Sequence, residues 1–280
     1  MSEQAWSASQ PSDYWDSILA GWEPTLAHRL WRAHSDAVNA RLLRRWLVDT
    51  PADGKILKTD LFDEAVAGGL YPELAARGGQ VIGVDVAPAV VRAACARHPG
   101  LDARVADVRA LPFDDGEFDA VVSNSTLDHF DSLAELVLAA SELSRVIRPG
   151  GRLLITLDNR QNPIVALRTS LSFSAMRRLR IVPYYVGRTL GRRGLAATLE
   201  RCGLDVQQTT AVMHCPPKLA GAYAARGARS TLGSQQTDRY LARVLRLESL
   251  ESSPVRYFTG HFVAALAVKP GHGAASPAVA

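Results

Sequence analysis

The sequence predicts an α/β fold: an open, doubly wound sheet of mostly parallel strands with helices on both faces. Short apolar runs bounded by turn residues recur along the chain. Phe118–Val122 is the clearest, and such a run suits a strand buried on both faces. Helical stretches alternate with these runs. Two strands also deliver acids to one edge of the sheet. Val81-Ile82-Gly83-Val84-Asp85 ends in a carboxylate, and Phe118–Val122 opens into a polar loop carrying Ser123, Asn124, Ser125, Asp128 and His129. Open α/β sheets bind ligands beyond the carboxyl ends of their strands, so this edge suggests a nucleoside-type ligand.

Composition sets the outer limits. A chain of 280 residues, 47% of them hydrophobic, buries a full core and reads as one domain, 51–270, with additions at its ends. No stretch approaches the roughly 18 apolar residues of a membrane span, so none is expected. The opening residues lack the basic-then-apolar order of a secretion signal, and a cytoplasmic location is expected. Cys95, Cys202 and Cys215 have neither disulfide-framework nor zinc-ligand spacing; they read as reduced thiols, with no metal site expected. A net charge of +4 permits an anionic ligand without demanding nucleic acid.

Residues 1–50 hold all five tryptophans, Trp6, Trp15, Trp22, Trp31 and Trp46. Trp31, Val38, Leu42 and Trp46 fall on one helical stripe, which predicts an N-terminal helical cap. Its aromatics either only glue it to the sheet or close it over a ligand, with His34 and Asn39 then turned toward the site. A first strand is expected from Lys55, running into Asp60, Leu61 and Phe62, with glycines delayed to Gly68-Gly69 and Gly78-Gly79. Pro88–His98 reads as a helix with proline in its first turn. The segment after it holds an acidic turn at Asp107, a loop at Leu111-Pro112-Phe113 and a turn at Asp114-Asp115-Gly116.

Leu133–Ile147 carries apolar residues at helical spacing, and the helix is expected to stop at Pro149-Gly150-Gly151. A strand, Arg152–Leu157, then ends at Asp158-Asn159. From Asn162 to Gly191 the pattern loosens. Arg177, Arg178 and Arg180 read as a solvated basic face or a docking surface for an anionic substrate, and Tyr184 and Tyr185 as pocket aromatics. Arg192–Arg201 reads as a helix and Leu204–Met213 as a strand. An insertion, 214–251, holds a helix at Tyr240–Leu250. The closing strand runs from Tyr257 to Val268, and the Gly/Ala/Pro-rich tail, 271–280, reads as disordered.

Four segments together resemble class I S-adenosylmethionine-dependent methyltransferases: Val81–Asp85; Ala106-Asp107-Val108 with Leu111-Pro112-Phe113; Phe118–Ser125; and Arg148-Pro149-Gly150-Gly151-Arg152-Leu153-Leu154-Ile155. The resemblance covers roughly Lys55–Val206, and a last strand near Phe262–Lys269 fits it. It implies a Rossmann-like sheet, S-adenosyl-L-methionine as cofactor and S-adenosyl-L-homocysteine as product. It also implies Asp85 and Val86 at the ribose, Asp107 at the adenine amine with the backbone of Val108 beside it, and Asn124 and Ser125 under the methionine part. Carboxylates suit vicinal hydroxyls and an exocyclic amine, because both contacts are charge-assisted.

The first loop departs from the family. A Gly-x-Gly is expected there, since glycine lets the backbone approach a cofactor closely. This chain has Asp60, Leu61 and Phe62 instead. Its Leu-Lys-Thr-Asp-Leu-Phe-x-Glu-Ala pattern is similar to a recurrent variant of that loop. The variant implies that Asp60 accepts from the cofactor's amino group, that Lys58 reaches its carboxylate and that Phe62 lies beside it. The alternative is a drifted loop with weak or lost affinity.

Methyl transfer is an in-line displacement in which positioning does most of the work. A base is required only if the nucleophile loses a proton. His129 is the first candidate, since an imidazole suits that task near neutral pH, and Asp128 adjoins it, although no dyad is assigned. His129 fits a helix cap or a pocket wall equally well; His214 and Asp158 are further candidates. Three functions compete: methyl transfer to a small molecule, apolar or natural-product-like; a same-fold protein that binds the cofactor without methyl transfer; and a non-catalytic scaffold. Asp85 and Asp107 argue against the last. An oxidoreductase would want Gly-x-Gly-x-x-Gly after the first strand, and no basic stripe interleaved with aromatics points to nucleic acid. The expected partner is a small molecule, with a homodimer left open.

Overall fold

Alternating apolar side chains give each central strand two buried faces, and helices cover both. The computed structural model describes residues 11–48, 51, 53–77, 79–171, 185–216 and 234–271, together with Met176, Arg178, Leu219, Ala222 and Tyr223. Trp6, Gly78, Arg177, Arg180, Tyr184 and the tail after Gly271, on which expectations were placed, lie outside the described residues. In chain order the elements are α1 (Pro11–Ala20), α2 (Leu26–Trp46), β1 (Lys55–Thr59), α3 (Phe62–Val66), α4 (Tyr71–Ala75), β2 (Gln80–Asp85), α5 (Pro88–Arg97) and β3 (Asp102–Val105). They continue with β4 (Phe118–Asn124), a 3-10 turn (Leu127–His129), α6 (Leu133–Val146), β5 (Ile147–Asp158), α7 (Pro163–Ser170), α8 (Arg192–Arg201) and β6 (Asp205–Val212). The last are α9 (Ser234–Val244), a 3-10 segment (Leu245–Ser252), α10 (Arg256–Thr259) and β7 (Phe262–Val268).

The seven strands form one sheet in the order β3-β2-β1-β4-β5-β7-β6. β1 to β5 run parallel, and β7 is antiparallel to both of its neighbours. The order reverses between β1 and β4, which makes their carboxyl ends the switch point of the sheet. Ile56, Val81, Val122 and Leu154 pack on one face against α2 to α5. Leu57, Ile82, Val121 and Leu153 pack on the other against α6 and α8. The period of two along each strand is what separates the two cores.

Helix starts follow from local chemistry. Pro88 supplies the preset φ of a first turn in α5. Ser132 and Glu135 form a reciprocal capping box at α6. The Asn162 side chain accepts from the amides of Ile164 and Val165 to start α7, an element that the loosened pattern concealed.

Several boundaries differ from expectation. Pro149-Gly150-Gly151 does not end a helix but lies inside β5, where the register shifts between Phe118 and Ala120 of β4 and Gly150 adopts φ 78°. Tyr257–Thr259 belong to the helical turn α10, so the closing strand begins at Phe262. The short β3 hides in the sequence because most of it faces solvent. The helix after the first loop is broken into α3 and α4 around Gly68-Gly69. Gly69 has φ 59°, and a Cβ there would meet the Glu64 carboxyl carbon at 2.5 Å. Cys95, Cys202 and Cys215 are free. No helix among the described residues is long and apolar enough to cross a membrane.

Candidate functional site

Asp60, the residue after β1, occupies the left-handed region with φ 62°. That is the backbone conformation a glycine would adopt most cheaply, and aspartate is among the few residues that tolerate it. Its amide donates to the Val84 carbonyl at 3.0 Å, and its Oδ1 accepts from the Phe62 amide at 2.9 Å. The missing glycine is thus replaced in geometry. Lys58 takes a different part from the one expected. It is buried, its Nζ donates to the carbonyls of Thr59 and Asp60, and it lies 3.6 Å from Glu64 Oε2. It lines neither cavity described below, and its contacts brace the first loop.

Asp85, at the end of β2, accepts from the Leu61 amide through Oδ2 and from the Ala87 amide through Oδ1, both at 2.9 Å. Burial, with the charge of Asp60 beside it, pushes its carboxyl up to about 7, against the two amides. Asp60 is raised as well, chiefly by burial, with Lys58 and His129 opposing. Asp107 follows β3. Burial raises its carboxyl, but hydrogen bonds from the Arg109 side chain and amide outweigh it and hold Asp107 below its ordinary range. Arg109 reaches on to Glu135 Oε1 at 2.6 Å.

The end of β4 carries the third group. Ser125 has φ 50°, and its hydroxyl donates to Asp128 Oδ2 at 2.9 Å, an oxygen that also accepts from the Asp158 amide at 2.8 Å. Asn124 Nδ2 donates to Asn39 Oδ1 at 3.0 Å, which ties α2 to the strand end. His129 Nδ1 donates to the Tyr185 carbonyl at 2.9 Å, leaving Nε2 3.9 Å from Asp128 Oδ1. The helix-cap alternative for His129 does not apply, because Ser132 caps α6. Trp15 of α1 packs edge-on against the His129 ring at 4.8 Å.

These groups enclose two adjoining cavities. The first, of about 90 Å³, is lined by Asp60, Asp85, Val86, Asp107, Val108 and Phe130 among others. The second, of about 340 Å³, has aromatic walls of Trp15, Trp22, Trp31, Phe62 and Phe262, and a polar floor that includes Asn124, Ser125, Asp128 and Asp158. Trp15, Asp60, Phe62 and His129 line both. His129 therefore stands at the junction.

Of the other sequence candidates, His34 is fully buried against Glu248 and does not reach the site. Asn39 lines neither cavity and bonds to Ser35 and Asn124, which do, and His214 bonds to Ala211 and Thr259 away from the cavities. Tyr185 contributes its carbonyl, while its hydroxyl bonds to Asp131. Sequence reasoning missed Arg32, Arg168 and His261. Arg32 pairs with Asp63 and lies over the Trp22 and Phe62 rings. Arg168 pairs with Asp158, whose Oδ1 is 3.4 Å from His261 Nε2. Burial, then the Arg168 charge, pushes His261 down to about 3. The one signal for His261 was a polar residue immediately before an apolar strand.

With this geometry in place, likeness to known proteins becomes informative. Residues 65–155 match the methyltransferase domain family. The match begins just past the altered first loop and ends within β5. A probable S-adenosylmethionine-dependent methyltransferase of Mycolicibacterium smegmatis is 33% identical over 48% of this chain and 47% of its own length. A ubiquinone biosynthesis O-methyltransferase of Xanthomonas axonopodis pv. citri is 28% identical over 68% of this chain and 75% of its own. The chain spans about half the length of the curated relatives it matches first. Geranyl diphosphate C-methyltransferase of Streptomyces coelicolor A3(2), solved with S-adenosyl-L-homocysteine, superposes with a TM-score of 0.53 at 18% identity, covering 92% of this chain and 86% of that one. The chain has the Rossmann-like fold of class I S-adenosylmethionine-dependent methyltransferases.

Proposed function

We infer that this chain transfers the methyl group of S-adenosyl-L-methionine to a small molecule held in the second cavity. The observation that carries the reading is the pair of adjoining cavities: one with carboxylates from three neighbouring strand ends, one with aromatic walls, and His129 on their shared boundary. The methyltransferase domain match and the methyltransferase relatives support it.

The residues present fit the cofactor. Asp85 and Val86 would hold the ribose, and Asp107 and Val108 the adenine. Both Asp107 oxygens already accept from Arg109, but a carboxylate has about four lone-pair sites and retains room for an amine. Asp60 and Phe62 would flank the methionine part, with Asn124 and Ser125 below it and Asp60 facing its ammonium group. When bound, the cofactor supplies a methyl group on a sulfonium, an activated leaving group. The chain's own work is then to orient the acceptor, exclude water and take a proton where the acceptor has one to lose. Nδ1 of His129 is engaged by the Tyr185 carbonyl, which leaves Nε2 as the proton-accepting nitrogen. Asp128, fixed by Ser125 and the Asp158 amide, faces that nitrogen and would steady the imidazolium.

Calorimetric titration with S-adenosyl-L-methionine and S-adenosyl-L-homocysteine tests the reading. Micromolar binding is expected, weakened at least about tenfold in Asp85→Ala, the scale of a lost charge-assisted hydrogen bond. Absence of binding at millimolar ligand would leave the scaffold reading in its place.

A further inference from the structure

We propose that the surface formed by α7 and α10 docks this protein onto a lipid bilayer that carries anionic headgroups. The proposal is independent of the cofactor reading, because none of the residues that carry it lines either cavity.

α7 turns an apolar face outward. Ile164, Leu167 and the C-cap residue Leu171 follow at the three- and four-residue spacing that aligns side chains along one side of a helix. They are exposed by 57, 66 and 38%, while Val165 on the other side is fully buried. Single exposed apolar residues are ordinary, but a cluster of them marks a site of association. A second group adjoins the first. Val255, at the N-cap of α10, and Phe258 within it are exposed by 52 and 64%. Asn162, the N-cap of α7, donates through Nδ2 to the carbonyls of Thr259 and Gly260, both at 3.2 Å, and so joins the two helices.

Arginines border this surface. The Arg160 amide donates to the Leu190 carbonyl at 3.2 Å and the Arg192 amide to Gln161 Oε1 at 3.0 Å, which brings the start of α8 to the loop before α7. The guanidinium groups of Arg192 and Arg256 both lie over the Tyr257 ring, 5.2 and 5.1 Å from its centre. Arg160, Arg192 and Arg193 are exposed. The sequence holds no Asp or Glu from 159 to 199 or after Glu251. Asp158, just before the first of these segments, is buried and paired with Arg168.

Two features favour a bilayer. The apolar side chains project from helices, and a bilayer takes up such side chains without offering a matching groove. Arginines with no acid among them complement anionic headgroups and oppose a second copy of the same surface. α7 follows the carboxyl end of β5 and α10 leads into β7, so the docking surface lies on the sheet edge that holds both cavities.

The full chain is sedimented with vesicles of phosphatidylcholine alone and with vesicles in which about one third of the lipid is phosphatidylglycerol. It should bind the anionic vesicles at least about tenfold more tightly. That preference should fall away between about 50 mM and about 500 mM salt. Leu167→Ser and Phe258→Ser should each weaken binding about tenfold, the loss of one inserted apolar side chain. Arg192→Ala combined with Arg193→Ala should weaken it about tenfold or more. Melting followed by circular dichroism checks that each variant folds, and the wild-type comparison stands even where one does not. Equal binding to the two kinds of vesicle, binding to neither, or undiminished binding by both folded serine variants overturns the proposal. A dimer in sedimentation velocity that Leu167→Ser dissociates also overturns it, and gives the surface to a second copy.

Discussion

His34 Nε2 lies 3.1 Å from Glu248 Oε1, a contact between α2 and a segment 214 residues later in which both side chains are almost wholly buried. The same carboxylate accepts from the amides of Met213 and His214 at 3.0 and 3.1 Å. One residue therefore fastens the N-terminal helix, the end of β6 and the 3-10 segment together. Glu248→Ala leaves two amides and an imidazole without their acceptor and should cost about 3–5 kcal/mol in urea denaturation. Glu248→Gln, which keeps one acceptor oxygen, should cost less. A loss below about 1 kcal/mol for the alanine variant would show that the fastening is unimportant.

Asp85 should make stability depend on pH in a definite sense. Its carboxyl is pushed up to about 7 in the fold and ionises near 4 when unfolded. The folded chain holds the extra proton, so this contribution is complete below about pH 4 and disappears as pH rises through about 7. His261, pushed down to about 3, acts oppositely: its contribution is lost as pH falls from about 6.5 toward 3. Asp85→Asn isolates the first effect. Relative to wild type, its denaturation midpoint should rise between pH 5 and pH 8, and a constant difference would refute the assignment.

Asp60→Gly separates backbone from carboxylate. Glycine adopts φ 62° without strain and removes a charge beside Asp85. The variant should be as stable as wild type or gain up to about 1 kcal/mol. If Asp60 faces the cofactor's ammonium group, affinity for S-adenosyl-L-methionine should fall about tenfold or more in calorimetry. Unchanged affinity would remove Asp60 from the site.

His129→Gln tests the proton-accepting part. Turnover with an O–H acceptor should fall about 10²–10⁴-fold, the usual worth of a positioned base, while cofactor affinity stays within about twofold. A loss of both together would mean that His129 merely shapes the wall with Trp15.

Most of the site's first cavity was legible because strand ends announce themselves: an apolar run followed by an acid fixes both the strand and where the acid points. Asp85 was placed that way, whereas Asp107 stood out only as an acidic turn in a segment resembling the family's, because β3 before it is mostly exposed. The second cavity was not, because its residues come from elements with weak local signals. Arg168 rides on α7, where the sequence pattern had dissolved, and His261 follows a helical turn whose Tyr257 and Phe258 read as strand. The contacts of Lys58 were hidden for a different reason. Its ammonium is taken up by the carbonyls of Thr59 and Asp60 and by Glu64, a partner that becomes visible only once α3 folds back.

That pairing has a consequence for how such a loop is inherited. Lys58 and Glu64 are exposed by only 4% and 0%, so changing either alone strands a buried charge. Gly69 is tied to Glu64 by close approach. Asp60 is bound to the same arrangement by the Lys58 ammonium on its carbonyl. Single substitutions at Lys58, Glu64 or Gly69 therefore cross a stability valley, and these three positions should change together or stay as they are.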